Sequence, residues 1–118
     1  MAQNLFRSNA VALAGGDDII LLEYTVPTPL TAYVNQVSID LNPASDFPYI
    51  TFSWYIDGQL IPELARINSQ ITTSYFPLSL ESSIVVEPGR TLKVVVSSTN
   101  AAGTTDDVYA SFAGILRG

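Results

Sequence analysis

The chain has 118 residues, of which 47% are hydrophobic and 14% charged, and its net charge is −6. It contains neither cysteine nor histidine, which excludes a disulfide framework, a thiolate zinc site and any catalytic constellation built on a histidine base. The few basic residues are scattered, so neither nucleic acid nor an anionic membrane surface is an expected partner.

The N-terminal residues 1–17 show neither a helical nor a strand period and close with Gly15-Gly16. We expect a flexible N-terminal arm over 1–17 and a β-sandwich domain over 18–118. The arm is either a disordered terminus or a segment that orders against a partner. In the second case its apolar side chains are the partner-binding residues, namely Leu5, Phe6, Val11 and Leu13.

Alternating apolar residues predict strands in the first half of the domain. Asp18–Val26 form a strand that ends at Pro27-Thr28-Pro29, because proline cannot donate to a ladder and marks a crossing between sheets. Leu30–Leu41 form a longer strand whose alternation changes phase. A bulge near Asn35-Gln36 would return its apolar residues to one face.

The central hairpin contains the single tryptophan. Its first strand places Trp54 on the same face as Phe52, and this face is expected to lie in the core. Asp57-Gly58 tolerates the positive φ angles that a tight type I′ turn requires. Gln59–Ile61 then form the return strand.

The second half continues the pattern after an irregular excursion expected over Glu63–Ser74. Short strands are predicted over Tyr75–Leu80 and Ser83–Glu87, followed by a type II turn at Pro88-Gly89. The closing elements are a strand, a loop and a last strand, over Arg90–Thr99, Asn100–Asp107 and Val108–Leu116. We therefore expect an all-β protein, an antiparallel two-sheet β-sandwich that is either jelly-roll-like or immunoglobulin-like.

No catalytic or cofactor-binding residue stands out. Nothing in the pattern brings two of the glutamates together as a glycosidase pair. Asp17-Asp18 and Asp106-Asp107 lack the alternating spacing of a calcium loop. We expect no enzyme activity, no cofactor and no metal site.

Aromatic residues on the outer parity of the strands point to binding. Tyr49 and Tyr55 alternate with the core residues of the central strand, and Tyr109 and Ile115 lie on the outer parity of the last strand. Such side chains either stack on sugars or form a subunit interface. The additional aliphatic residue on the last strand favours a protein–protein interface.

Parts of the chain resemble two protein families. Phe52–Gln59 and Ser98–Gly103 resemble the third strand and last hairpin of immunoglobulin-like domains, although the cysteine pair and the tyrosine corner are missing. Ile84–Val96 and Val108–Leu116 resemble the closing half of small jelly-roll decoration, or cement, proteins of tailed bacteriophage capsids. The second resemblance covers more of the chain, from Glu23 to Gly118.

The resemblance to decoration proteins implies a structural virion protein. It implies binding to the major capsid protein at the capsid surface, stabilisation of the shell between its subunits, and a homo-oligomer, most often a trimer. No functional residue transfers by position. The alternative is a carbohydrate- or receptor-binding module, such as a virion fibre head or an immunoglobulin-like adhesion domain.

Overall fold

The structure is a computed structural model and describes residues 2–61, 64 and 75–118. Apart from Leu64, the excursion expected over Glu63–Ser74 lies outside the described residues. A 3₁₀ helix, Ala44–Tyr49, follows the third strand. The strands are β1 Ala2–Ala14, β2 Asp18–Thr25, β3 Thr31–Asn42, β4 Ile50–Ile56, β5 Gln59–Leu60, β6 Tyr75–Val86, β7 Thr91–Ser98 and β8 Thr105–Arg117.

The described strands form two four-stranded antiparallel sheets packed as a sandwich. Sheet A has the order β1-β8-β3-β6 and sheet B the order β2-β7-β4-β5. In each sheet, strands distant in sequence are neighbours, as in the double Greek key of a jelly roll. The jelly-roll-like sandwich is confirmed. The immunoglobulin-like alternative is wrong, because that fold places its first two strands side by side, whereas β1 pairs with β8.

The N-terminal segment forms an edge strand of sheet A. All 13 residues of β1 pair with β8 without a register shift, and Leu5 and Leu13 are buried in the core. This corrects the expectation of an arm without regular structure, because burial of these leucines and a full ladder hold the segment in place.

The sequence of β1 does not show the apolar alternation of a strand, because two residues on its inward side are polar. Arg7 and Asn9 lie where β1 faces the edge of sheet B. The Asn9 side-chain amide donates a 2.7 Å hydrogen bond to the Leu21 carbonyl, and the Arg7 guanidinium lies 4.8 Å from the centre of the Tyr24 ring. Both polar groups are therefore satisfied at the margin of the core.

The core lies between the sheets and contains the residues expected there. Trp54, Phe52 and Phe112 are fully buried, which confirms the predicted parity of the central and last strands. Buried aromatic side chains of this size dominate the energetics of a small core. The core fixes which residues of each strand point outward.

Three predicted backbone features are confirmed. Asp57 and Gly58 both have positive φ, 49° and 83°, in the two-residue β4–β5 hairpin. Gly89 has φ 78°, and the Arg90 amide donates to the Glu87 carbonyl at 3.1 Å. The register of β3 shifts between Val34 and Gln36, as the phase change predicted.

The strand after the undescribed segment runs further than predicted. β6 is continuous over Tyr75–Val86, although two shorter strands were expected. Residues 80–83 lie at the same register shift, since Ser79 pairs with Gln36 and Ile84 with Val34. The predicted break between Leu80 and Ser83 therefore coincides with an irregularity inside β6. This strand lies at the edge of sheet A, and an edge strand tolerates a proline such as Pro77.

Candidate binding surface

The outward residues of sheet A form one surface, which we call the A face. Its central strands are β8 and β3, with β1 and β6 at the edges. The ladder aligns these residues in rows across the sheet. Successive rows are Asn4–Ile115–Tyr33–Val85, Phe6–Ala113–Gln36, Ser8–Ser111–Ser38 and Ala10–Tyr109–Asp40.

The middle of the A face consists of small side chains. Ser38 and Ser111 point away from the core, yet both are buried and their hydroxyls are hydrogen-bonded to each other. Ala113 and Ser8 lie beside them. The centre of the A face is therefore built from short side chains.

Larger apolar side chains flank this flat centre. Phe6 is 57% exposed and Val85 is 49% exposed, at opposite edges of the sheet. Between them Tyr33 and Ile115 are half-buried, and the Arg117 guanidinium lies 5.8 Å from the centre of the Tyr33 ring. The A face thus has apolar contact area along one side of a flat centre.

Acidic groups lie toward the other end of the A face. Asp40 and Asp107 line a shallow depression together with Ala10, Asn42 and Tyr109. The half-buried Tyr109 side chain therefore lies beside the Asp40 and Asp107 carboxylates. The face changes from apolar to acidic along the strands, which gives a partner a defined orientation.

The structure brings together three of the residues predicted to bind a partner. Phe6, Tyr109 and Ile115 all lie on the A face. Leu5 and Leu13 do not, because they are core residues, and Val11 is half-buried against the core. The expectation that these three dock into a partner from a free arm is corrected by their burial.

The two tyrosines of the central hairpin lie elsewhere. Tyr49 is exposed at the end of the 3₁₀ helix. Tyr55 lies on the outer face of sheet B, where the Lys93 ammonium is 5.6 Å from its ring centre. Glu23 pairs with Lys93 in the ladder, so the outer face of sheet B carries a pair of opposite charges beside Tyr55.

The sequence reasoning missed Val85. Val85 was assigned to the short strand Ser83–Glu87, and no prediction was made of which of its residues point outward. The signal was available in Ile84-Val85-Val86, because three consecutive apolar residues must expose one parity unless both faces are covered. The exposed member is the one on the A face.

A buried acid lies at one end of the sandwich. Asp106 is inaccessible to solvent at the start of β8. The Asn100 side-chain amide donates to the Asp46 carboxylate at 3.2 Å and to Asp106 at 3.4 Å. Burial, and then the hydrogen bond with Asp46, raise the pKa of Asp106. The sequence predicted a loop over Asn100–Asp107 and gave no sign of this cluster.

No cluster of metal-ligating side chains is present in the described ranges. Within 2–61, 64 and 75–118, no three acidic side chains come close enough together to hold a metal ion. In the same ranges, no helix is long and apolar enough to cross a membrane.

Comparison with known proteins gives structural matches alone. No family model matches the chain, and no curated protein matches it. One similar solved structure is the capsid asymmetric unit of cyanophage Pam1, with 17% identity, a TM-score of 0.48 and coverage of 95% of this chain and 85% of that chain. Another is the acid-stable capsid of Helicobacter pylori bacteriophage KHP30, with 12% identity, a TM-score of 0.48 and coverage of 97% and 93%.

Proposed function

We propose that this protein is a non-enzymatic structural virion protein that decorates a viral capsid and stabilises it by binding between capsid subunits through the A face. The residues that resemble decoration proteins, Ile84–Val96 and Val108–Leu116, lie in β6, β7 and β8. Two of these strands supply Val85, Tyr109 and Ile115 to the A face. The resemblance and the candidate surface thus share residues.

The single observation that carries the proposal is the shape and chemistry of the A face. It combines a flat centre of small side chains with exposed Phe6 and Val85. Contiguous apolar surface with aromatic residues is typical of protein–protein contacts. A broad sheet face whose depression near Asp40 and Asp107 is shallow suits the surface of a large assembly better than it suits a small substrate.

The resemblance also implies a homo-oligomer, most often a trimer, bound to the major capsid protein at the capsid surface. Tyr49 and Tyr55 lie off the A face, and in this proposal they contact other copies of the chain. Several weak A-face contacts in one oligomer would add to a high avidity. Sedimentation at micromolar concentration is expected to give an oligomer, and a monomer would contradict this part of the proposal.

Cosedimentation with capsids of the source virus tests the proposed function. The purified protein is mixed with shells that lack it, and bound protein is measured against added protein. We expect saturable binding at a fixed number of copies per shell and a higher melting temperature of the decorated shell. Absence of saturable binding would overturn the proposal.

A second candidate function rests on the aromatic residues of the 3₁₀ helix. Phe47 and Tyr49 are both exposed on either side of Pro48, and exposed aromatic rings can stack on sugars. This observation favours a carbohydrate- or receptor-binding module. A glycan array distinguishes the two, because binding of glycans that is lost in Tyr49→Ala would support the second function.

A further inference from the structure

In the part of the chain that the structure describes, the sandwich has four edge strands, and they differ in how they resist pairing with another chain. β2 has a register shift beside Leu21, whose carbonyl accepts a hydrogen bond from Asn9. β5 has only two residues, and β6 contains Pro77 and the shift over 80–83. Short edges, bulges and prolines are the usual protections of a sheet edge.

β1 has none of these protections. It is 13 residues long, contains no proline and keeps one register with β8 throughout. Its only charged residue is Arg7. A long, regular and nearly uncharged edge strand is a template for the addition of another strand.

The hydrogen bonds near the ends of β1 show which backbone groups face the free side. The Gly15 amide donates to the Thr104 carbonyl, toward β8. The Ala14 carbonyl instead accepts from the Asp17 amide, and the Phe6 carbonyl accepts from the Arg7 guanidinium at 2.8 Å. Because these groups alternate along a strand, the even-numbered residues from Asn4 to Ala12 present their amides and carbonyls to the free edge.

We propose that β1 pairs antiparallel with β1 of a second copy of this chain, about a two-fold axis at Ser8. Ser8 is the centre of Ala2–Ala14, so this is the register that pairs the full length of both strands. It also matches even-numbered residues with even-numbered residues, whose edge amides and carbonyls then satisfy each other once the Arg7 guanidinium leaves the Phe6 carbonyl.

The side chains of β1 are compatible with this register. Arg7 of each copy lies opposite Asn9 of the other, so the like charges are not directly opposed. On the A face, the large Phe6 lies opposite the small Ala10. The strand therefore complements itself in charge and in size, as an isologous contact requires.

The paired edges would join two copies of sheet A into one eight-stranded sheet. The A faces of the two copies would then form a single surface of twice the width. This inference goes beyond the proposed function and does not depend on a capsid. If three-fold association also occurs, the assembly contains an even number of copies.

A cysteine scan tests the register, because the natural chain has no cysteine. In Ser8→Cys, the two introduced thiols lie opposite each other at a Cα separation of about 5.5 Å, within the range of a disulfide. We expect a covalent dimer under mild oxidation. In the matched control Asn4→Cys, the two thiols are separated by eight residues, roughly 27 Å, and we expect no covalent dimer under the same conditions.

The cross-linking result decides between pairing at Ser8 and random collision. Dimers of Ser8→Cys without dimers of Asn4→Cys support the register, and the double variant Asn4→Cys/Ala12→Cys should then cross-link as well. Equal cross-linking of both single variants, or of neither, overturns the proposal.

Proline at the same position tests the edge itself. Ser8→Pro removes an amide that faces the free side, so the ladder with β8 keeps its hydrogen bonds. We expect this variant to sediment with half the number of copies of the natural protein. An unchanged mass for a folded Ser8→Pro chain overturns the proposal, and the cross-linking comparison stands whether or not this chain folds.

Discussion

Ser38 and Ser111 lie directly opposite each other on β3 and β8, and their hydroxyls are hydrogen-bonded on the outer side of sheet A, where both side chains are buried. A polar pair at this position keeps the centre of the A face small. It also gives each buried hydroxyl a partner, which an isolated serine there would lack.

Removal of one of these hydroxyls should lower the free energy of unfolding by more than half of the amount that removal of both does. Ser38→Ala or Ser111→Ala leaves the other hydroxyl buried without its partner, which lowers the free energy of unfolding by about 1–3 kcal/mol. The double variant removes the unsatisfied group as well, so its cost should be less than the sum of the two. Denaturant unfolding of the four proteins in a double-mutant cycle measures this coupling, and strict additivity would contradict it.

Truncation of Trp54 should be the most damaging change in the core. The side chain is fully buried between the sheets, and Trp54→Ala should lower the free energy of unfolding by about 3–5 kcal/mol. Its neighbour Tyr55 points to the outer face of sheet B, and Tyr55→Ala serves as the control, with an expected loss of about 1 kcal/mol or less. Similar losses for the two variants in denaturant melts would refute the assigned parity.

Two residues of β1 distinguish a strand from a free arm. Leu13 is buried and Phe6 is exposed. As part of a strand, Leu13→Ala should lower the free energy of unfolding by about 2–5 kcal/mol, whereas Phe6→Ala should change it by less than about 1 kcal/mol. Thermal melts of both variants provide the measurement. No loss of stability in Leu13→Ala would mean that β1 is detached in solution.

The stability of the fold should fall as the pH rises through the pKa of Asp106. Burial and Asp46 raise this pKa in the folded state, so folding favours the protonated form. The stabilisation is complete below the pKa of the unfolded chain and is lost as the pH rises through that of the folded chain. Asp106→Asn has no such proton to lose, so its melting temperature should fall less than that of the natural protein as the pH rises above about 4, the ordinary pKa of an aspartate.

An exposed acid provides the control for this pH dependence. Asp18 is exposed at the start of β2, and Asp18→Asn should keep the pH response of the natural protein. Equal pH responses of the natural chain and Asp106→Asn would show that the buried carboxyl does not hold its proton.

Local pattern was sufficient to predict much of the fold. The phase change around Asn35-Gln36 predicted the bulge in β3, and Asp57-Gly58 predicted the turn of the central hairpin, because each depends on residues adjacent in sequence. The strand order depends on which distant strands pair, and no local pattern encodes that choice. The resemblance to decoration proteins favoured the jelly roll on that point.

The N-terminal strand and the buried acid were missed for physical reasons. β1 has the polar residues Arg7 and Asn9 on its inward side, so its sequence does not alternate between apolar and polar residues. These two side chains contact Tyr24 and Leu21 in sheet B, and the sequence does not reveal those contacts. Asp106 is a charged residue type that normally predicts exposure. Its burial depends on Asp46 and Asn100, which are separated from each other by 54 residues in sequence.

Binding of surface variants to capsids tests the central claim most directly. Phe6→Asp and Val85→Asp each place a charge on the A face, at opposite edges of sheet A. Ile20→Asp and Leu60→Asp place the same charge on sheet B at side chains of similar exposure, 54% and 51% against 57% and 49%. The four substitutions therefore differ in face and not in residue introduced.

We expect each A-face substitution to weaken cosedimentation with capsids by more than about tenfold, or about 1.4 kcal/mol. The sheet B substitutions should bind as the natural protein does, and circular dichroism should confirm that all four variants are folded. Equal binding by the four folded variants, or a selective loss in the sheet B pair, would contradict the assignment of the A face as the capsid-binding surface.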